Sequence, residues 1–179
     1  MLQCMRALDE TDALLRSLRG VWAEESVDEL DHALQSAARA IEDGADHELV
    51  LAAALHDLAH SPLFGDPAPS AHDAAARDWL APRFGERVGW LAGAHVAAKR
   101  YLVATEPGYG DGLSETSAIS LGAQGGAGVD DEFVTHPWWS DALRLRRYDD
   151  AAKDPAGRGA TIDDVLAIAE RVVQQRESQ

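Results

Sequence analysis

Three observations predict an all-α protein: apolar residues recur at helical spacing nearly throughout, strand-like alternation closed by hairpin turns is absent, and capping residues stand ahead of the periodic runs. The first helix covers about residues 5–19 and stops at Gly20. "SVDE" places Ser26 as an N-cap with Glu29 three residues on, a capping box that opens a second helix running to about Ile41, after which Gly44 breaks the chain. Asp46 caps a third helix, in which "LVLAAALHDL" is apolar around its whole circumference and belongs at the centre of a bundle. "SPLFGDPAPS", with three prolines and a glycine, reads as a loop. Ser70 with Asp73 caps a fourth helix to about Phe84, and a fifth runs from about Glu86 to Val103. "EPGYGDG" and "GAQGGAGVD" bracket a short helix around residues 113–122 and read as loops beside a site. A further helix covers about residues 138–153, and Thr161 with Asp164 opens a last, amphipathic one.

At 179 residues the chain is of ordinary single-domain length, so one domain over residues 1–179 is expected. A hydrophobic share of 46% with 26% charged residues is that of a soluble globular protein. No segment is long and apolar enough for a membrane span, and "MLQCMRALDE" lacks a basic flank followed by a hydrophobic stretch, so a cytoplasmic protein is expected. Cys4 is the only cysteine, which rules out an intrachain disulfide and a thiolate zinc cluster. A formal charge of −15 argues against nucleic acid or an anionic membrane surface as partner. Any anionic ligand must then be held by a local cluster of cations.

"LHDLAH", residues 55–60, sets titratable groups inside an otherwise apolar run. Imidazole and carboxylate are the ligands that borderline and harder metals take when thiolates are absent. His32, His56, Asp57, His72, His95 and Asp149 supply them, on different predicted helices except for the adjacent pair. A metal site inside a helical bundle is assembled in that way. Taken alone, His32 lies opposite the stripe Leu30, Leu34, Ala37 and Ile41 and reads as a surface residue. His47 and His136 read as ordinary helix or loop histidines, and Trp138 and Trp139 as packing residues. His95 and Lys99 are four apart, and Arg146 and Asp149 three apart, so each pair shares a helix face and sets a cation beside a candidate ligand. Two such cations next to metal ions make a pocket for an anionic head group.

The adjacent His56-Asp57 pair, with an earlier His32 and a later Asp149, resembles the HD-domain superfamily; His72 and His95 resemble its two-metal version, with Asp57 as bridge. "HVAAKRYL", "LSETSAISLGAQGG" and "LRLRRYDDAAK" narrow the resemblance. They are similar to the HD-domain mixed-valent diiron oxygenases that cleave the carbon–phosphorus bond of 1-hydroxyalkylphosphonates, of the kind acting on 2-amino-1-hydroxyethylphosphonate. The resemblance spans about residues 22–153.

The resemblance implies an HD-domain helical bundle, two irons in the Fe(II)/Fe(III) state, O2 as co-substrate, and a small phosphonate converted to a carboxylic acid and inorganic phosphate. It implies that His60 contacts substrate rather than metal, that Ser117 and Gln124 join Lys99 and Arg146 in binding the phosphonate, and that Glu25 lies near the open iron position. Related oxygenases carry a tyrosine where this chain has Trp22, whose indole has no oxygen to offer a metal and would instead shape the pocket or stack on a cationic substrate group. Three alternatives stay open: a dinuclear HD phosphohydrolase acting on a small phosphoester, an inositol-oxygenase-like enzyme cleaving a polyol, and a non-catalytic HD scaffold. Monomer and homodimer are both compatible with the sequence.

Overall fold

The computed structural model describes residues 2–65, 67 and 71–178, with side chains from residue 5 onward. Helices follow one another as α1 (Leu2–Ser17), α2 (Glu29–Glu42), α3 (His47–Leu55), α4 (His72–Phe84), α5 (Glu86–Gly93), α6 (His95–Thr105), α7 (Glu115–Ala123), α8 (Asp131–Val134), α9 (Trp139–Ala151) and α10 (Ile162–Glu177). Single 3₁₀ turns lie at Leu58–His60, Pro62–Phe64 and Gly110–Gly112. Among the described residues there is no strand, so the expected all-α bundle is what forms. No helix among them is long and apolar enough to cross a membrane.

The all-round apolar helix takes the central place foreseen for it. Every residue of α3 from Leu49 to Leu55 is buried, and the helix packs on α2, α5, α9 and α10. Each leucine so enclosed contributes roughly 1.5–3 kcal/mol relative to exposure. α4 and α5 approach so closely that a Cβ on Gly89 would lie 2.7 Å from the Ala81 Cβ, so only glycine fits there.

Cap chemistry agrees with the sequence at two helices and departs from it at a third. Asp46 accepts from the Leu49 amide at 3.0 Å, and Thr161 and Asp164 close a reciprocal capping box at α10. The start of α2 is set by Asp28 instead of Ser26: its carboxylate accepts from Asp31 N at 2.9 Å, from Gly20 N at 2.9 Å and from the Arg19 guanidinium at 3.0 Å. A serine hydroxyl has neither the charge nor the second oxygen needed to tie the α1 end to the α2 start. Glu29 thereby loses its capping role and becomes a buried residue of the first helical turn. Ser70, expected to cap α4, lies outside the described residues.

The single fifth helix expected over 86–103 is broken at Ala94 into α5 and α6. At the break His95 Nδ1 lies 2.6 Å from the carbonyl of Ala92, three residues back; His56, just past the end of α3, does the same to Ala53 at 2.8 Å. Carbonyls at a helix end lack amide partners, and these two histidines use them.

Candidate metal centre

Five helices and their ends bring the expected ligands together. His32 comes from the second turn of α2, His56 and Asp57 from the end of α3, His72 from the start of α4, His95 from the start of α6 and Asp149 from α9. His32, His56, His72, His95 and Asp149 are all buried, and Asp57 is partly so. Far from being a surface residue, His32 is 1% exposed, because α2 turns it toward α3 and α9.

Ring orientation is fixed by the backbone. His32 Nδ1 lies 3.0 Å from the carbonyl of Ala152, His56 Nδ1 is held by Ala53 and His95 Nδ1 by Ala92. A carbonyl only accepts, so each Nδ1 carries the hydrogen and each neutral ring turns an Nε2 lone pair inward. Backbone and carboxylate partners hold metal-binding histidines in this way.

The inward atoms form two groups that meet at Asp57. One is made of His32 and His56 Nε2, Asp57 Oδ2 and the Asp149 carboxylate, with separations of 3.0 Å for His56–Asp57, 3.4 Å for His32–Asp149 Oδ1, 3.6 Å for His56–Asp149 Oδ2 and 3.6 Å for His32–Asp57. The other is made of Asp57 Oδ1 with His72 and His95 Nε2, both at 3.4 Å, the two ring nitrogens being 3.0 Å from each other. His60 Nε2 approaches the same Oδ1 at 3.9 Å and its ring stacks on His72 at 5.1 Å, so Asp57, His60 and His72 also gather as a donor group close enough to hold an ion. One carboxylate therefore turns an oxygen to each group.

The donor set fits metal ions. His32 Nε2, His56 Nε2 and Asp57 Oδ1 are buried and have no hydrogen-bond partner, although carboxylate and imidazole atoms lie within 3.0–3.6 Å of them. They are close without being aligned to one another, as atoms aimed at shared points are. A buried polar group in that condition costs free energy unless something else satisfies it. Electrostatics agrees. Burial opposes a charge on His32, yet the neighbouring Asp149 and Asp57 carboxylates push its pKa up to about 10, and His56 is raised for the same reason. Asp57 and Asp149 are held well below the usual carboxylate range despite burial, by His56 in the first case and Arg146 in the second. Burial, with repulsion from His56 and His72, pushes His95 down to about 3. Without a metal these carboxylates keep protons on the His32 and His56 rings; a cation entering the cluster takes the place of those protons and leaves the Nε2 lone pairs free to bind it.

Around the cluster lies a rim of cations. Lys99 is 3% exposed, one turn after His95, and donates to Ser120 Oγ at 2.8 Å; burial, then repulsion from Arg146, lowers its pKa to about 8. Arg146 is 2% exposed and donates to Asp149 Oδ2 at 2.6 Å, to Asp150 and to the Tyr109 hydroxyl at 2.9 Å. Ser117 is buried on α7, and its hydroxyl accepts from Lys153 Nζ at 2.9 Å. Gln124 caps the end of α7, and its Oε1 is buried without a partner.

Two expected pocket residues lie outside this assembly. Trp22 is 65% exposed, and Glu25 is exposed with its Oε1 accepting from Thr116 N at 2.6 Å and Thr116 Oγ1 at 2.7 Å. The loop between α1 and α2 instead sends Glu24 inward, to Lys153 Nζ at 2.9 Å and Ser114 Oγ at 2.9 Å.

Lys153, Glu24 and Glu29 were not singled out from the sequence as site residues. Lys153 had a signal: it follows Asp149 by four, the spacing already read for His95 and Lys99, and its Nζ lies 4.0 Å from Asp149 Oδ1. Glu29 precedes His32 by one turn; it is 1% exposed with an unpartnered Oε2, and burial followed by repulsion from Asp57 pushes its pKa up to about 8. His47 and His136 stay ordinary, the one beside Gln175 and the other stacked on Trp90 at 4.0 Å.

No protein-family model matches the chain. Over 142 residues it is 39% identical to the hydroxymethylphosphonate dioxygenase of Gimesia maris, an overlap of 73% of this chain and 70% of that protein. Over 138 residues it is 36% identical to the 1-hydroxy-2-(trimethylamino)ethylphosphonate dioxygenase (glycine-betaine-forming) of Leisingera caerulea, covering 72% of this chain and 70% of that one. An uncharacterised protein of Acanthamoeba polyphaga mimivirus is 35% identical over 140 residues, 72% of this chain and 64% of the viral protein. Helical architecture, the paired His and Asp cluster, and identities of 36% and 39% to two phosphonate dioxygenases lead to one assignment: the chain belongs to the phosphonate dioxygenase family of HD-domain proteins.

Proposed function

We propose that this protein uses O2 to cleave the carbon–phosphorus bond of a 1-hydroxyalkylphosphonate, giving a carboxylic acid and inorganic phosphate. One O2 per substrate balances the reaction: both oxygen atoms end in the products, and the hydroxyl-bearing carbon and the C–P bond supply the electrons. The observation that carries the reading is a carboxylate that turns one oxygen to each of two imidazole groups, with buried cations one helical turn from His95 and Asp149, in a chain related to enzymes named for this chemistry. His32, His56, Asp57 and Asp149 would hold one ion, and Asp57, His72 and His95 a second. Two irons there would supply the redox capacity to activate O2.

The remaining steps belong to the side chains. Lys99 carries an ammonium in a buried setting, where a phosphonate oxygen gains more from it than in water. Arg146 is locked by Asp149, Asp150 and Tyr109, so it offers its remaining N–H groups without reorganising. Ser117 and Gln124 contribute hydrogen bonds from α7 and its end. His60, beside Asp57 and partly exposed, is the histidine we assign to substrate contact. The site is suited to a small anion; nucleic acid and membrane are not read as partners.

The test is stoichiometric. Iron-loaded protein given hydroxymethylphosphonate should release one phosphate per O2 consumed and none under strict anaerobiosis, and partly oxidised protein should give a mixed-valent electron paramagnetic resonance signal that substrate perturbs. Anaerobic phosphate release from a phosphomonoester would instead support the hydrolase.

A further inference from the structure

Lys99 and Arg100 are neighbours on α6 and grip the same region from two sides. Lys99 reaches α7 itself, at Ser120 Oγ. Arg100 reaches past it: its Nε donates to the carbonyl of Gly126 at 2.9 Å, and its own carbonyl accepts from the Gly128 amide at 3.1 Å. A single residue thus fastens the segment after α7 through both side chain and backbone.

That segment is shaped to receive it. Gly125 and Gly126 have φ of +96° and +73°, left-handed values that favour glycine. The Gly126 amide closes back on Leu121 O at 2.8 Å. A Cβ on Gly128 would stand 2.8 Å from Arg100 Nη2, and one on Gly125 would stand 3.5 Å from it, so the backbone runs close along the guanidinium. Directly before these glycines sits Gln124, whose backbone is fixed by Ser120 O at 2.9 Å and whose Oε1 is buried with no partner. That oxygen only accepts, so it is open to a hydroxyl of the ligand, while the Nε2 of the same amide is the group that can donate to a phosphonate oxygen.

We propose that Arg100 is a positioning residue which, by clamping the glycine segment 125–128 to α6, holds the Gln124 amide in register with Lys99 for the phosphonate. The inference rests on the reading of Gln124 as a substrate contact. Arg100 itself touches no substrate; it fixes the distance between two groups that do, by joining the helix that bears His95 to the segment that follows Gln124. Replacing the guanidinium frees the loop while leaving Lys99 and the ligands in place.

The test uses the iron-loaded full chain with hydroxymethylphosphonate and its 2-trimethylaminoethyl homologue as probes. R100Q should raise KM by about tenfold with kcat within about twofold, because the loss is one of placement and not of a reacting group. R100K, which keeps charge and stem but not the Nε donor, should fall between R100Q and the parent. Iron content should be unchanged. In a Q124A background the R100Q change should add less than about twofold in KM, since a residue that acts through Gln124 has nothing left to position. Amide hydrogen exchange at 125–128 should quicken in R100Q whether or not substrate is present. Unchanged KM in R100Q, or penalties that multiply in the double variant, would overturn the proposal while leaving the dioxygenase reading intact. Failure of the parent protein to release phosphate from either probe in air would defeat that reading and this proposal with it.

Discussion

His56 and Lys99 lie at the same His and Asp cluster, one in it and one on its rim, and are anchored by different means. His56 is held by the end of the helix it follows, Nδ1 on the carbonyl three residues back; His95 is held in the same way by the end of α5, and His32 by the carbonyl of Ala152, just past α9. Lys99 is held by Ser120, on a separate helix 21 residues further on, and Ser117 by Lys153, 36 residues further on. The cluster is thus made of rings locked to regular backbone, and the rim of side chains locked to one another across loops. The first kind of site resists perturbation of its surroundings and collapses when a member is lost. The second tolerates loss of a member and shifts when a supporting bond is cut.

The largest effect that separates the two regions is expected from Asp57→Ala. Its two oxygens face both ligand groups, so metal content and activity should fall together, activity by about 100-fold or more, read by metal analysis and O2-dependent phosphate release. Retention of two metals in that variant would break the comparison. Lys99→Ala is next: metal should stay, and KM for the phosphonate should rise by about 10- to 100-fold, the size of a lost buried charge-assisted hydrogen bond of roughly 1.5–3 kcal/mol. A KM equal to that of the parent would remove Lys99 from the anion pocket. pH gives a smaller, graded effect. Because burial lowers the Lys99 pKa to about 8, its ammonium is present below that value and is lost above it, so phosphonate affinity should decline as pH rises through about 8 and the decline should vanish in Lys99→Ala. The smallest effect belongs to the Lys153–Glu24 pair that ties the loop before α2 to α9 and α7. Glu24→Gln should cost on the order of 1 kcal/mol in stability and a few-fold in KM, without metal loss.

The same division decides how much could be read from the sequence. The α3 core, the bundle class and all the cluster residues were legible, because helical periodicity and imidazole-carboxylate chemistry are local to each segment. The break between α5 and α6 was not, since apolar spacing continues across Ala94 and only the side chain of His95, bonded back to Ala92, marks the end. Nor was the choice of Asp28 over Ser26 as cap, which depends on Arg19 and Gly20 arriving from α1. In the rim, Lys99 and Arg146 were found because they share helix faces with ligands, whereas Glu24 in place of Glu25, and the exposure of Trp22, follow from how one loop lies against α7, a contact no spacing rule encodes.

Anomalous diffraction at the iron edge from crystals of iron-loaded protein tests the central claim most directly. The account predicts two peaks, one at coordination distance from His32, His56 and Asp149 and the other from His72 and His95, with Asp57 giving one oxygen to each. A single peak, or two peaks without Asp57 between them, would contradict it.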